Sequence, residues 1–253
     1  LNRVMKKVLT LICTLFICSV INAQQLYNMS LDVWSKQGPS WNPFPKDASE
    51  KQRIWDTANR AMKMLGVNTT TPEYEHVAVP GPGKAAAKIV SRKITWTFAP
   101  GSLYTGRFIR LVNFSGIEMD NGAPFSGRPK SLSGYYHYQP GIIDNAKEPY
   151  LAMKGKTDNG QIEVALYDWP KARNMVTTEG HYDPESDPHL IGRGVLKITK
   201  MTDGYIHFEL PIHYRRDATP TYVGVNVLSS ALGEFFTGSS SSVLYIDELQ
   251  FNY

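Results

Sequence analysis

From Lys88 to the C-terminus the chain is a succession of short runs in which apolar and polar residues alternate, broken by Gly, Pro, Asn and Asp. A period of two places successive side chains on opposite faces, so these runs predict β-strands joined by turns. Ile94, Trp96 and Phe98 share one face of the first clear run. Ile206, Phe208, Leu210 and Ile212 do so in another, and Val223, Val225 and Val227 in a third. The last run, Val243 to Phe251, is apolar on both faces at its start and alternates later. No helical crossover pattern separates the runs, so the expected fold is all-β, a two-sheet sandwich rather than a parallel α/β sheet.

One segment has helical spacing instead. Ile54, Ala58, Ala61 and Leu65 fall on one face of a helix, predicting one short helix over 49–65 with Ser49 at its start and Gly66 at its end. Asn68–Pro72 and Pro80–Gly83 read as loops, and Gly238–Ser242 as a turn too short to link domains. There is no internal repeat, and a sandwich of this length is commonly one domain, so residues 24–253 are expected to form a single domain.

The first residues form a different pattern. Met5-Lys6-Lys7 precedes an apolar run from Val8 to Ile21, which closes in Ile21-Asn22-Ala23. This reads as a signal peptide, residues 1–23, cleaved after Ala23. The run is shorter than the roughly 20 residues a bilayer requires, so no transmembrane segment is expected. Cys13 and Cys18 are the only cysteines and both lie in this leader. The remaining chain then has no disulfide, no Cys-ligated zinc and no Cys nucleophile. A lipoprotein anchored at Cys18 fits less well, because the bulky Ile17 stands where a small residue is expected. The reading is an exported protein, periplasmic or at the cell surface.

Composition adds exclusions. Hydrophobic residues make up 42% and charged residues 20%, the balance of a globular protein. The formal charge of +4 falls to near +1 once Arg3, Lys6 and Lys7 leave with the leader, and no stretch clusters Lys and Arg. Nucleic acid is therefore not an expected partner. Phosphate loops, zinc helices and nucleophile elbows are absent from the sequence. Asp183, Glu185 and Asp187 alternate between His181 and His189, but the stretch lacks the Gly and terminal Glu of a calcium loop and reads as a polar surface loop. Glu118, Asp120, Glu163 and Asp168 are carboxylates on or near strands, and spacing does not say which of them meet. A glycosidase needs two that converge, so no catalytic residue is assigned.

The aromatics, 11% of the chain, carry the functional expectation. In Ile162–Trp169 the aliphatics Ile162, Val164 and Leu166 share one face, leaving Tyr167 and Trp169 on the other with Glu163. In Gly134–Tyr138, Tyr136 and Tyr138 share one face and Tyr135 and His137 the other. Exposed rings beside polar donors suit a saccharide, whose apolar face stacks while its hydroxyls hydrogen-bond. The expected ligand residues are Tyr136, Tyr138, Tyr167 and Trp169 for stacking, Trp41 as a loop-borne platform, and Arg128 and Asp168 as polar partners. The plainer alternative is that these rings fill the core, with Arg128 tying a loop to backbone carbonyls.

Several segments also resemble a known family. Leu103–Phe108, Gly122–Tyr138, Gly233–Gly238 and Leu244–Leu249, with Asp32-Val33-Trp34 and Trp55–Asn59, look like the family of Bacteroidetes proteins named putative carbohydrate metabolism domain. The resemblance implies a jelly-roll β-sandwich similar to carbohydrate-binding modules, in an exported protein of a glycan-degrading bacterium. In similar modules the first and last strands lie side by side, sometimes near a structural Ca²⁺, to which Asp32 and Asp247 would contribute. Two carboxylates alone do not fill six or more oxygen positions, so no cofactor is assigned. The expected function is non-catalytic recognition of an oligo- or polysaccharide by a monomer. A glycoside hydrolase or lyase on the same sandwich is the first alternative, and an adhesion or structural module the second.

Overall fold

A computed structural model describes residues 23–94, 97–112, 116–177 and 181–253. Trp96 and residues 1–22, on which the expected leader falls, lie outside them. The fold is all-β, a sandwich of two antiparallel sheets. The larger sheet runs Arg173–Val176, Gly116–Asn121, Ser102–Val112, Tyr222–Leu228, Gly160–Tyr167, Leu190–Ile198 and His213–Tyr214. Trp55–Thr57 and Ala123–Pro124 pair onto its flank. The smaller sheet runs Ile206–Pro211, Ser131–Gln139, Val243–Asn252, Ala86–Val90 and Thr70–Glu73.

The alternating runs supply the core as the sequence implies. Ile162 and Val164 with Val223, Val225 and Val227 project from the larger sheet, and Leu132, Leu244, Ile246 and Phe251 meet them from the smaller; all are buried. Ile206, by contrast, lies at a strand end and is exposed, while Phe208, Leu210 and Ile212 are buried.

The mixed pattern of the last strand has a local cause. Ser133 pairs with Gln250 but Tyr135 with Asp247, so Val243–Asn252 carries one extra residue, a β-bulge. Glu248 adopts φ 47°, and beyond it the inward positions change from Leu244 and Ile246 to Leu249 and Phe251. Opposite the bulge stands Gly134, where a Cβ would lie 2.9 Å from Leu249 Cδ2 and 3.0 Å from the Asp247 carbonyl.

The expected helix over 49–65 does not form. Residues 55–57 are a strand, and only Lys63–Leu65 is helical, a single 3₁₀ turn ending at Gly66 with φ 65°. Tertiary burial overrides the spacing: Trp55 is fully buried, its strand pairs with Leu103 to Thr105, and its indole N–H donates to the Tyr27 carbonyl at 2.9 Å. Leu65, counted on the apolar face, is exposed.

The N-terminal segment closes the sandwich edge. Leu26, Met29 and Leu31 enter the core. The Gln25 side chain pairs with the Phe251 backbone in both directions, donating to its carbonyl and accepting its N–H at 2.8 Å each. It takes the place of a neighbouring strand beyond Ile246, where the pairing with Ala86–Val90 ends.

Candidate functional site

At one end of the larger sheet an open cleft of about 580 Å³ lies between the N-terminal segment and the strand pair Ser102–Val112 and Gly116–Asn121. Tyr27, Tyr222, Glu50, Arg107 and Asp120 are among the residues that line it. Lys51 and Arg53 also line it, the latter fixed by a hydrogen bond from Nε to the Ala48 carbonyl at 3.0 Å.

Arg107 organises the charges. Its Nη1 lies 3.1 Å from Glu50 Oε2, and its Nη2 lies 3.6 Å from Asp120 Oδ2. Asp120 is held from the other side by the Asn174 amide, which donates to Oδ1 at 3.2 Å. Strand register places Arg107 directly opposite Asp120, so this half of the arrangement is fixed by the sheet itself. Glu50 arrives from an exposed loop. Exposed ion pairs contribute little stability, so this pair can open to a ligand at small cost.

The floor rests on a buried aromatic stack. Trp169 packs face to face on Tyr167 with centroids 3.8 Å apart, and Tyr222 lies 6.3 Å from Trp169. Gly122, with φ 89°, lines the cleft directly above it; a Cβ there would come within 3.0 Å of the indole. Asp187, wholly enclosed, anchors the stack by accepting from Trp169 Nε1 at 3.0 Å and Tyr182 Oη at 2.7 Å. Burial pushes its carboxyl up, but those hydrogen bonds, the His189 N–H and the Arg173 charge outweigh burial and hold it below the ordinary value.

The residues expected from the sequence fall elsewhere. Tyr167 and Trp169 point away from the main core, as the alternation implies, yet they are buried in a second cluster with Ala165 and Leu190. The loop bearing Tyr182 and Asp187 covers them, so they offer no open face to a sugar. Tyr138 is wholly buried, its hydroxyl donating to the Ser229 carbonyl at 3.0 Å. Tyr136 is half-buried and packs inward against Phe208. Asp168 accepts from Arg216 and lies 2.8 Å from His189 Nδ1; the Arg216 hydrogen bond chiefly holds its carboxyl below the ordinary value. Arg128 donates to the Ala218 carbonyl and lies 4.3 Å from the Tyr214 ring centroid, a structural tie. Trp41 is half-buried on a small hairpin, with Lys36 5.6 Å from its ring, and does not line the cleft. Asp32 receives the Ala85 N–H and the Lys84 ammonium, and Lys84 also binds Glu248. Of the two carboxylates named for a cation, Asp32 thus holds an ammonium, while Asp247 accepts the Ala78 and Glu248 backbone N–H groups; no metal-holding group of three ligands occurs among the described residues.

Sequence reasoning missed Tyr27, Glu50, Arg107 and Tyr222, and named Asp120 only as one of four carboxylates. One signal was available. Two of the resemblance segments, Leu103–Phe108 and Gly122–Tyr138, supply Gly106, Arg107, Gly122, Ala123 and Pro124 to the cleft wall.

Comparison with known proteins agrees with this architecture. Residues 30–252 match the family model described as putative carbohydrate metabolism domain. A solved structure from Bacteroides thetaiotaomicron, described as a putative glycoside hydrolase, superimposes with a TM-score of 0.67 at 20% identity, covering 91% of this chain and 71% of that one. A second so described, from Bacteroides vulgatus, gives 0.64 at 17% identity, covering 87% and 94%. At these identities the likeness is one of fold. No curated protein matches the chain. No helix among the described residues is long and apolar enough to cross a membrane.

Proposed function

The chain belongs to the putative carbohydrate metabolism domain family, and from that premise we propose that it is an exported saccharide-binding protein whose site is the cleft around Arg107. The supporting observation is Arg107 held between Glu50 and Asp120, with Tyr27 and Tyr222 in the surrounding walls. Vicinal sugar hydroxyls need donors and acceptors at short, fixed separations, and a carboxylate–guanidinium–carboxylate row supplies both. The tyrosine rings supply apolar surface for the pyranose face. The Met5–Ala23 pattern supports export.

Binding without hydrolysis is favoured by the same geometry. Paired catalytic carboxylates must flank a glycosidic oxygen with open space between them. Here both carboxylates contact one guanidinium, which fills that position.

The test is a glycan array that scores retained ligand and reducing-end release together, run on the protein and on Arg107→Ala. Retention without release is expected. Arg107→Ala should weaken affinity about tenfold or more, since hydrogen bonds to charged groups are worth about 1.5–3 kcal/mol, while the melting temperature stays nearly unchanged. Equal retention by the variant would remove the cleft as the site. Release of reducing ends would replace the binding reading with a hydrolase, in line with the description of the two structural neighbours.

A further inference from the structure

We propose a second saccharide-binding surface, on the outer face of the smaller sheet, suited to an extended neutral chain; it rests on the reading that this protein binds saccharide. The bulge at Asp247–Glu248 sets which residues reach this face. Across the strands, one row reads His207, Tyr135 and Asp247, and the next reads His137, Tyr245 and Lys88. Tyr205 precedes the edge strand and joins the second row, its ring 6.1 Å from His137.

The rings form a layered platform. Tyr245 is buried at its base; His137 stacks on it at 5.4 Å with planes 22° apart, and Tyr205 meets it edge-on at 6.5 Å. Tyr135 and His207 make a second pair at 5.1 Å. His207 is exposed and Tyr135 and His137 are half-buried, while Tyr205 donates to the His76 carbonyl at 2.7 Å and His76 packs edge-on against Tyr245, so the open ring surface is that of His207, Tyr135 and His137. Successive outward positions on a strand are about 6.6–6.8 Å apart, which spaces Tyr135 and His137 along the strand for more than one sugar ring.

The surrounding groups select the ligand's charge. Lys88 lies 3.9 Å from Glu73, and Asp247 is turned away, accepting the Ala78 and Glu248 N–H groups. Gln139 and Thr202 contact the His137 ring nitrogens, and Ser133 and Gln250 follow in the row beyond Tyr135. That row ends at Glu209, which accepts from the Ser131 hydroxyl at 2.7 Å and would repel an anionic sugar. Open rings, neutral donors and already partnered charges complement a neutral polyhydroxylated chain. The Lys88 ammonium lies 5.5 Å from the Tyr245 ring centroid and is shared with Glu73.

Native gel electrophoresis through immobilised neutral polymers, a mixed-linkage glucan, a galactomannan, an arabinoxylan and a galactan, separates the two sites. The proteins compared are wild type, Arg107→Ala, Tyr135→Ala/His207→Ala, and the combination. At least one polymer should still retard Arg107→Ala, and the added face substitutions should reduce that retardation about five- to tenfold, the scale of an aromatic contact. Single His207→Ala, truncating an exposed side chain, gives the same readout in a folded protein should the double variant melt early. If Arg107→Ala abolishes retardation, or the face variants match their parents, the second surface is overturned, and the cleft stands where Arg107→Ala has itself reduced retardation. If only the face variants lose binding, the cleft reading fails and this one holds. If no polymer or oligosaccharide is bound, both fall.

Discussion

At the scale of single residues, polar satisfaction separates groups that hold the fold from groups available for change. Trp169 exchanges a sugar-facing role for a structural one: its ring is stacked, its N–H is bonded to a buried carboxylate, and Gly122 and Tyr222 of the cleft rest against it. Trp169→Ala should therefore cost about 3–5 kcal/mol of stability in urea unfolding, with any loss of binding following the loss of structure. A variant as stable as the parent would contradict its buried placement. Tyr104 presents the opposite case. It is buried beside Asp56, and its hydroxyl has no hydrogen-bond partner. Burial first, and then the Asp56 charge, push its phenol far above the ordinary value. A buried donor without a partner bears a desolvation cost of about 1–3 kcal/mol, so Tyr104→Phe should stabilise by about 1 kcal/mol and raise Tm by about 2–4 °C. A lower Tm by calorimetry would show that the hydroxyl is in fact bonded.

At the scale of elements, a regular strand is legible in sequence and its interruption is not. Val223, Val225 and Val227 announce their strand because nothing breaks the alternation. The last strand conceals its bulge, since one extra residue reverses the inward set and a window over it sees apolar residues on both faces. Ile54 to Leu65 misleads for the converse reason: its spacing satisfies a helix, but Trp55 gains more from full burial than the segment gains from helical turns. The bulge also has a titratable consequence. Asp247 sits on it with a carboxyl that burial, chiefly, raises from 3.8 to about 6, with Glu248 and Asp32 adding to the rise against the Ala78 N–H. Because the folded value is the higher one, its stabilising effect is fully present below pH 3.8 and is lost as pH rises through 6. Two units correspond to at most about 3 kcal/mol, less whatever solvent screens. The stability difference between wild type and Asp247→Asn should therefore shift against wild type between about pH 4 and pH 7. A constant offset across that range would exclude the raised carboxyl.

At the scale of the whole molecule, the cleft is illegible in sequence because it is assembled from stretches far apart, within 24–27, 50–54, 106–107 and 120–124, with Ala172 and Tyr222. No local pattern marks such a site, whereas the sandwich that gathers it is read from local alternation alone. The N-terminal segment belongs to both. Leu26 and Met29 fill the core, Gln25 covers the Phe251 edge, Gln24 accepts the Ser126 and Gly127 N–H groups, and Tyr27 walls the cleft. The family match begins only at residue 30, so a chain cut to those bounds loses all of these while keeping every sandwich strand. Two buried apolar side chains alone are worth about 3–6 kcal/mol, much of the 5–15 kcal/mol by which a domain is stable. The stretch from Leu249 to Phe251, now bonded to the Met29 carbonyl and the Gln25 amide, would also present unpaired backbone groups to other chains. The chain of residues 24–253 should unfold cooperatively as a monomer. The chain of residues 30–252 should melt roughly 10 °C lower, by the scale of about 2–4 °C per kcal/mol, and associate as its concentration rises. Calorimetry and light scattering on the two chains decide it. Equal melting and a monomeric short chain would mean that the first residues only decorate the sandwich, and the cleft would then have to stand without its N-terminal wall.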